Sequence, residues 1–248
     1  MNLQVYEDPQ QLAEAAARDF AARAEAATSA SALGRFAVAL AGGSTPKATY
    51  EALARNYSGE LEWGGVYAFF GDERTVPPDH EDSNYRMARD TLLSRVPVGG
   101  VHRMRGELPP AEAAAAYEQE LREFFGQEEP PRLDLILLGL GEDGHTASLF
   151  PETSALDVSD RWVVANPVLK LETTRLTLTV PVINAAKAAT FLVAGEGKAE
   201  ALKQILEGDP NSRAYPAKFI RPEGGDLTWM VDAAAASALE HFPRASSN

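Results

Sequence analysis

The residue of this chain best suited to acid–base chemistry is a histidine in a glycine-rich loop. His145 follows an apolar run, Leu133 to Leu140, in the segment LDLILLGLGEDGHTASLFP. Such a run, bounded by turn residues, is typical of a strand buried on both faces of a parallel sheet, and ligands bind beyond the carboxyl ends of such strands. Because a neutral imidazole can take a proton from water, we interpret His145 as a candidate general base.

The neighbours of His145 support this interpretation. Asp143 lies two residues away and could orient the ring, and Gly141 and Gly144 allow close contact with the backbone. The alternative is a histidine with no chemical role, the usual outcome for a lone histidine. No second histidine lies at the spacing of metal ligands, so the sequence predicts no metal site.

A second cluster follows another short apolar run, Phe36 to Ala41. It offers backbone amides, two hydroxyls and a lysine at the start of a predicted helix, and its members are Gly42, Gly43, Ser44, Thr45 and Lys47. Free amides at a helix start attract anions, so this segment is a candidate anion cradle. The alternative is an ordinary strand-to-helix turn. The spacing is not that of a Walker loop.

A third cluster follows the predicted strand Val66 to Phe70. Asp72 and Arg74 come directly after this strand, and Asn84 follows a proline-rich loop. These groups could orient sugar hydroxyls and balance a developing negative charge. The alternative is a surface ion pair of Asp72 with Arg74, worth ~0–1 kcal/mol.

Two more cations lie further along the chain. Arg175 opens the stretch RLTLTVP, and Lys198 lies at the start of the predicted helix GEGKAEALKQIL. Cations at strand ends and helix starts can concentrate an anionic substrate even on an acidic protein. An arginine can bind a phosphate through two hydrogen bonds, whereas a lysine acts as a point charge. The alternative for Lys198 is a solvated helix lysine.

The segment Gly139 to Gly144 also matches G-x-G-x-x-G, the dinucleotide fingerprint. That fingerprint requires an acidic residue about 20 positions later, at the end of the next strand. Asp157 and Asp160 fall near this distance, but both precede the next predicted strand. Nicotinamide binding is therefore the less favoured interpretation.

The elements that would position these residues alternate along the chain. Further predicted strands lie at Trp162–Ala165, Leu176–Val180, Thr190–Ala194 and Leu227–Val231. Predicted helices lie at Pro46–Arg55, Asn84 to about Ser94, Pro109–Phe125, Gly195–Leu206 and Asp232–Leu239. Repeated strand–helix units favour an α/β fold with a mostly parallel sheet and helices on both faces. We predict one domain, residues 1–242, and a frayed tail, 243–248.

Composition restricts the classes of function. The 248 residues carry a formal charge of −13, which disfavours binding to nucleic acids or anionic membranes. There are no cysteines, so disulfides and thiolate zinc sites are excluded. The amino terminus lacks the pattern of a signal peptide, and no stretch approaches 18 consecutive apolar residues. These features predict a soluble, cytoplasmic protein.

Five motifs together carry a resemblance that spans residues 6 to 236. GGSTPK, GDER with the later SNY, GLGEDGHTASLFP, RLTLT and GEGKAEAL, in this order, resemble the 6-phosphogluconolactonases. These enzymes share a Rossmann-like doubly wound fold with the glucosamine-6-phosphate deaminases. In the deaminases the histidine loop continues into an Asn-Glu-Pro segment. The corresponding run here is SLFP, which favours the lactonase.

The resemblance implies hydrolysis of 6-phosphogluconolactone to 6-phosphogluconate without a metal or an organic cofactor. His145 would deprotonate the attacking water, and Arg74 with loop amides would stabilise the oxyanion. The 6-phosphate would bind Gly42–Thr45 with Arg175 and Lys198, leaving Asp72 and Asn84 for hydroxyls or for loop structure. The expected partner is the small lactone, and the expected state is a monomer or small homo-oligomer.

Two other functions stay open. An amino-sugar-phosphate deaminase or isomerase would need a second acid–base group, for which Asp72 is the candidate. A non-catalytic sugar-phosphate sensor would bind its ligand without turnover. Such sensors normally accompany a DNA-binding segment, and this acidic chain has no basic helix-turn-helix pattern.

Overall fold

The centre of the fold is a sheet in which all neighbouring strands are parallel. The computed structural model describes residues 1–30, 34–126, 130–209 and 213–241. Within them the strands of this sheet are, from edge to edge, β1 (Asn2–Tyr6), β10 (Asp226–Asp232), β9 (Ala188–Val193), β6 (Leu135–Leu138), β2 (Phe36–Leu40), β3 (Val66–Phe70) and β5 (Gly100–Val101). The predicted α/β fold with a mostly parallel sheet is confirmed.

Helices cover both faces of this sheet. They are α1 (Pro9–Ala30), α2 (Ser44–Asn56), α3 (Asn84–Ala88), α4 (Pro110–Phe125), α5 (Val180–Ala185) and α6 (Ala199–Leu206). Alternate residues of β2 point to opposite faces, as in any strand: Phe36 and Val38 pack with α1 and α2, whereas Ala37 and Ala39 pack with α4, α5 and α6. Because both faces are covered, β2 is apolar throughout. None of the helices in the described ranges is both long and apolar enough to cross a membrane.

A small antiparallel sheet packs on the face of the parallel sheet that α4, α5 and α6 cover. Its order is β4 (Asp72–Arg74), β8 (Thr173–Leu178) and β7 (Val163–Val168). The strands predicted near residues 162–165 and 176–180 therefore do not continue the parallel strand–helix pattern. Only the short turn Leu169–Leu171 and Glu172 join β7 to β8, and a connection of this length permits a hairpin but not a parallel crossover.

The predicted helix Asp232–Leu239 is wrong, because this segment forms a series of turns. The Asp232 carboxylate accepts hydrogen bonds from the backbone N–H of Ala235 at 2.7 Å and of Gly195 at 3.0 Å. The bond to Ala235 has the geometry of a helix N-cap, and the N–H of Ala236 donates to the Asp232 carbonyl at 3.0 Å, but the bonds that follow, from Ser237 to Ala234 and from Leu239 to Ala236, are those of three-residue turns. The sequence analysis also assigned no element to residues 2–30, where β1 and α1 lie. The predicted tail, 243–248, lies outside the described residues.

Candidate active site

A cavity of about 300 Å³ opens beyond the carboxyl ends of β2, β3 and β6. The chain extends the sheet from β2 to β3 on one side and later adds β6 on the other. Such a switch point is where open α/β sheets bind ligands. The predicted site residues that line the cavity are Gly42, Gly43, Asp72, Arg74, Asn84, Gly141, His145, Arg175 and Lys198. Those outside its lining are Ser44, Thr45, Lys47, Asp143 and Gly144.

The His145 ring is held from two sides. Its Nδ1 lies 2.5 Å from Oδ1 of Asp143. Because a carboxylate only accepts hydrogen bonds, the neutral ring carries its proton on Nδ1 and its lone pair on Nε2. The ring of Phe150 stacks on the imidazole, with the centroids 4.1 Å apart and the planes 23° from parallel. Nε2 is therefore the nitrogen that can accept a proton.

The two glycines of the histidine loop, Gly141 and Gly144, leave room for neighbouring side chains of this protein. A Cβ on Gly141 would lie 2.0 Å from Nδ1 of His145 and 2.7 Å from Oδ1 of Asp143. Gly144 has a φ of 76°, in the left-handed region, and a Cβ there would lie 2.6 Å from Cδ1 of Tyr215. The close contact that these glycines permit is thus with the histidine and with Tyr215.

The surroundings of His145 keep its imidazole neutral. Burial is the main cause that lowers the pKa of His145, to about 4. The carboxylate of Asp72 opposes this change, and the cations Lys198, Arg175 and Arg74 reinforce it. An imidazole with this pKa is available as a base throughout the neutral pH range.

Lys170 is a residue that the sequence analysis missed. Its Nζ pairs with Oδ2 of Asp143, the oxygen that His145 does not use, and lies 5.0 Å from the centroid of the Phe150 ring. Lys170 belongs to the turn between β7 and β8, and its neighbour Leu171 lines the cavity. No local motif marks this lysine, because only the folded hairpin brings it to the histidine loop.

Arg74 and Arg175 form a pair of like charges. They are directly opposite each other in the register of β4 and β8, and both line the cavity. The Nε of each is buried without a hydrogen-bond partner, and among the described residues neither guanidinium has an ion pair. Burial, and then Arg74, lower the pKa of Arg175. Facing like charges are destabilising, so a bound anion would relieve this repulsion.

Asp72 is fixed by two neutral side chains. Its Oδ2 accepts from the Ser148 hydroxyl at 2.7 Å, and its Oδ1 accepts from Nδ2 of Asn84 at 3.1 Å. The alternative of an Asp72–Arg74 ion pair does not occur among the described residues. Ser148, which the sequence analysis did not select, also lines the cavity. Asp72 is thus held in place at the cavity wall.

The predicted anion cradle is only partly at the cavity. Gly42 and Gly43 line it, and α2 begins at Ser44, so the free N–H groups of the first helical turn lie beside it. The side chain of Lys47 is 53% exposed and pairs with Glu51 at 3.9 Å. Lys198, which also lines the cavity, lies 4.0 Å from Oε1 of Glu142.

The glycines after β6 do not open a helix. The chain continues through turns to a 3-10 turn at Ser154–Asp157, so the structural context of the dinucleotide fingerprint is missing. Within the described ranges, no group of three or more His, Cys, Asp or Glu side chains could hold a metal ion.

The fold and the cavity define a class: doubly wound α/β proteins with a ligand cavity at the switch point of the sheet. A family model described as glucosamine-6-phosphate isomerases/6-phosphogluconolactonase matches residues 7–229. The chain belongs to this family.

Individual relatives agree with this assignment. The chain is 47% identical over 211 residues to a 6-phosphogluconolactonase of Nostoc sp., covering 83% of this chain and 85% of the relative. It is 40% identical over 248 residues to the 6-phosphogluconolactonase of Homo sapiens, covering 96% and 93%. The solved structure of 6-phosphogluconolactonase from Trypanosoma brucei superposes with a TM-score of 0.86 at 31% identity, covering 96% of this chain and 98% of that one.

Proposed function

We propose that the protein hydrolyses 6-phospho-D-glucono-1,5-lactone to 6-phospho-D-gluconate, the second step of the oxidative pentose phosphate pathway. The observation that carries this proposal is the His145–Asp143 pair at a cavity that also contains Arg74 and Arg175. A general base beside two unpaired cations suits a neutral ester-like bond in an anionic substrate. The lactonases named above support the same reaction.

The chemistry begins at Nε2 of His145. This nitrogen takes a proton from a water molecule, and the hydroxide forms a bond to the lactone carbonyl carbon. The Asp143 carboxylate accepts a hydrogen bond from the Nδ1–H group, which stays on the ring, and stabilises the imidazolium that results. The imidazolium then gives its proton to the ring oxygen as the bond between this oxygen and the carbonyl carbon breaks. Positioned acid–base catalysis of this kind contributes ~10²–10⁴-fold.

The charges of the cavity divide between the oxyanion and the phosphate. Arg74 and loop amides stabilise the tetrahedral oxyanion, where one donor contributes ~10²–10³-fold. Arg175, Lys198 and the first turn of α2 bind the 6-phosphate. These cations attract an anionic substrate to a protein whose net charge is −13.

The pH dependence of kcat/KM follows from the pKa of His145. We expect kcat/KM to stay near its maximum from about pH 8 to about pH 5 and to halve near pH 4, because the free enzyme must hold His145 neutral. An ordinary histidine would give half activity near pH ~6.5. Initial rates across this range, corrected for spontaneous hydrolysis, provide the measurement.

Stability must be followed in the same pH series. The folded chain has a lower His145 pKa than the unfolded chain, so His145 contributes stability above pH ~6.5 that is lost as the pH falls towards about 4. Circular dichroism at each pH separates titration from unfolding. Because the second pKa of a phosphate monoester is about 6, the series is repeated with unphosphorylated gluconolactone. An acid limb of kcat/KM near pH ~6.5 on this substrate, with intact protein, contradicts the expected pKa of His145.

Replacing one member of the arginine pair should weaken substrate binding without lowering stability. Arg175→Ala is expected to raise KM for the phosphorylated lactone ~10–100-fold, because the variant loses a hydrogen bond to a charged group. The melting temperature should stay constant or rise, because the repulsion from Arg74 disappears. Steady-state kinetics and thermal unfolding provide the two measurements.

The matched control for this variant is Arg55→Ala. Arg55 is an exposed cation at the far end of α2 that pairs with Glu14, so the same change of net charge should leave KM unchanged. Unphosphorylated gluconolactone is the second control. If Arg175 binds the phosphate, its loss should not affect hydrolysis of this substrate, and an equal loss on both lactones contradicts that assignment.

The direct test of the function is hydrolysis of freshly generated lactone by wild-type protein at mildly acidic pH, where the spontaneous reaction is slow. Turnover well above that of buffer supports the lactonase. Release of ammonia from glucosamine 6-phosphate would support the deaminase alternative, and ligand binding without turnover would support the sensor. The hydrogen bonds from Asn84 and Ser148 that hold Asp72 favour a positioning role for this carboxylate over the proton transfer that a deaminase needs.

We further infer a cytoplasmic enzyme that works as a monomer or small homo-oligomer without nucleic-acid partners. The absence of cysteines and the net charge of −13 support this inference. Sedimentation at micromolar concentration would give the oligomeric state.

A further inference from the structure

Glu73 is a buried carboxylate that the proposed mechanism does not use. It lies between Asp72 and Arg74 and is 2% exposed. Its Oε1 accepts hydrogen bonds from the backbone N–H of Arg74 at 2.8 Å and of Asn84 at 2.7 Å. Its Oε2 accepts from the backbone N–H of Tyr85 at 2.8 Å and from the Ser83 hydroxyl at 3.1 Å. Among the described residues it forms no ion pair.

These hydrogen bonds join β4 to the start of α3, and they act most directly on Asn84. Nδ2 of Asn84 donates to the Asp72 backbone carbonyl at 3.0 Å and to its carboxylate at 3.1 Å. The other side of the same amide fits against Gly42, where a Cβ would lie 1.9 Å from Oδ1 of Asn84. Gly42, Asp72 and Asn84 all line the cavity.

We propose that Glu73 is a positioning residue that fixes Asn84, and through it Asp72, at the wall of the substrate cavity. This inference rests on the proposed lactonase function for its kinetic consequences. Glu73 itself does not line the cavity, so any effect on substrate must pass through the residues that it holds.

The hydrogen-bond pattern explains why a carboxylate is needed at this position. All four partners of Glu73 donate, so both of its oxygens must accept. A glutamine offers one oxygen and one amide group, and the amide group would face donors. At least one buried backbone N–H would then lose its acceptor, which is costly in a buried site. The start of α3 would shift, and Asn84 would shift with it.

Glu118 provides a matched control elsewhere in the fold. It is also a buried carboxylate, 7% exposed, and it accepts from the backbone N–H groups of Trp162 at 3.0 Å and Val163 at 3.3 Å. It joins α4 to β7, and neither it nor these two partners line the cavity. Unlike Glu73, it also pairs with Arg122 at 2.8 Å and with Arg161 at 3.0 Å. Glu118→Gln therefore measures what the loss of a structural carboxylate and its ion pairs does away from the cavity.

The experiment compares Glu73→Gln, Asn84→Ala, the double variant and Glu118→Gln, with kcat, KM and melting temperature measured for each. Glu73→Gln and Asn84→Ala should each lower kcat/KM ~10-fold or more, since small displacements at a site are costly. The kcat/KM of the double variant should be little lower than that of the less active single variant, because both changes act through Asn84. Glu118→Gln should lower the melting temperature and keep the wild-type kcat/KM.

Two results would overturn the proposal. In the first, Glu73→Gln lowers the melting temperature but keeps the wild-type kcat/KM, as Glu118→Gln does. In the second, the effects of Glu73→Gln and Asn84→Ala multiply fully in the double variant. If Glu73→Gln does not fold, Glu73→Asp replaces it. Aspartate keeps the charge and both acceptors but withdraws them by one methylene, so kcat/KM should still fall by several-fold.

A measurement that does not depend on enzyme activity tests the positioning role of Glu73 separately from the proposed function. The side-chain amide protons of Asn84 should give a distinct NMR resonance in the wild type, because the Asp72 oxygens hold them. Glu73→Gln should shift or broaden this resonance, and Glu118→Gln should leave it in place. A wild type that does not hydrolyse the lactone would refute the proposed function, while an unchanged Asn84 resonance in Glu73→Gln would refute the positioning role.

Discussion

Replacing His145 by alanine is expected to lower kcat for lactone hydrolysis by ~10²–10⁴-fold. The alanine removes the group that takes the proton from water and later protonates the ring oxygen. KM should change little, because the cations that attract the phosphate remain in place. Lactone hydrolysis followed by proton release, beside the wild type and beside buffer, measures the effect.

The control for this variant is His241→Ala. His241 is exposed, and its ring contacts only Glu207 among the described residues, so this replacement should retain the wild-type kcat. A His145→Ala protein with the fold of the wild type and at least a third of its kcat would remove His145 from the mechanism. In that case the charges of the cavity alone would have to account for catalysis.

The second large effect is expected from a single methyl group at Gly141. In Gly141→Ala the new Cβ would lie 2.0 Å from Nδ1 of His145 and 2.2 Å from its Cε1. Real atoms cannot approach so closely, so the imidazole must leave its position beside Asp143. We expect kcat to fall ~10²-fold or more, since a displacement of about 1 Å can have that effect. The measurement is kcat together with the near-ultraviolet circular dichroism of the variant.

Gly141 has no positive φ, so alanine brings no backbone strain and the fold should persist. Gly59→Ala is the matched control, because no atom lies within 4 Å of a Cβ at Gly59 and its φ is also not positive. A Gly141→Ala enzyme with the wild-type kcat would show that the spacing of His145 and Asp143 does not limit the reaction.

These predictions depend on a site in which the general base and the cations come from different elements. The base and its supporting carboxylate lie after β6, whereas the arginine pair lies on the antiparallel sheet. The cavity therefore contains a neutral imidazole together with cations that can attract an anion. The low pKa of His145 follows mainly from burial, and the cations that attract the substrate also contribute.

Local patterns were sufficient for four strands of the parallel sheet, but not for β1, and for the start of α3. The apolar runs at β2, β3, β6 and β9 are buried on both faces, so consecutive residues carry the whole signal. Serine is a favoured helix N-cap, and the hydroxyl of Ser83, directly before the predicted helix start at Asn84, accepts from the N–H of Arg86 at 3.1 Å. Such features depend on neighbours in the sequence alone.

Local composition gave a wrong secondary-structure prediction in one place, whereas the role of Lys47 stays a prediction. The alanine-rich segment 232–239 favours a helix by propensity, but after one helical hydrogen bond, from the N–H of Ala236 to the Asp232 carbonyl, the chain continues in turns. Lys47 completes the glycine–hydroxyl motif in the sequence. On the helix surface, however, it lies one turn from Glu51 and pairs with it.

The sequence by itself determined the fold class, the family resemblance and the histidine loop at the carboxyl end of β6, because each follows from residues that are close in the chain. Only the tertiary structure decided that Arg74 faces Arg175, that Lys170 pairs with Asp143 and that Asn84 fits against Gly42. These contacts join segments that are distant in the chain. They depend on strand register and on hairpin packing, which chain spacing does not encode.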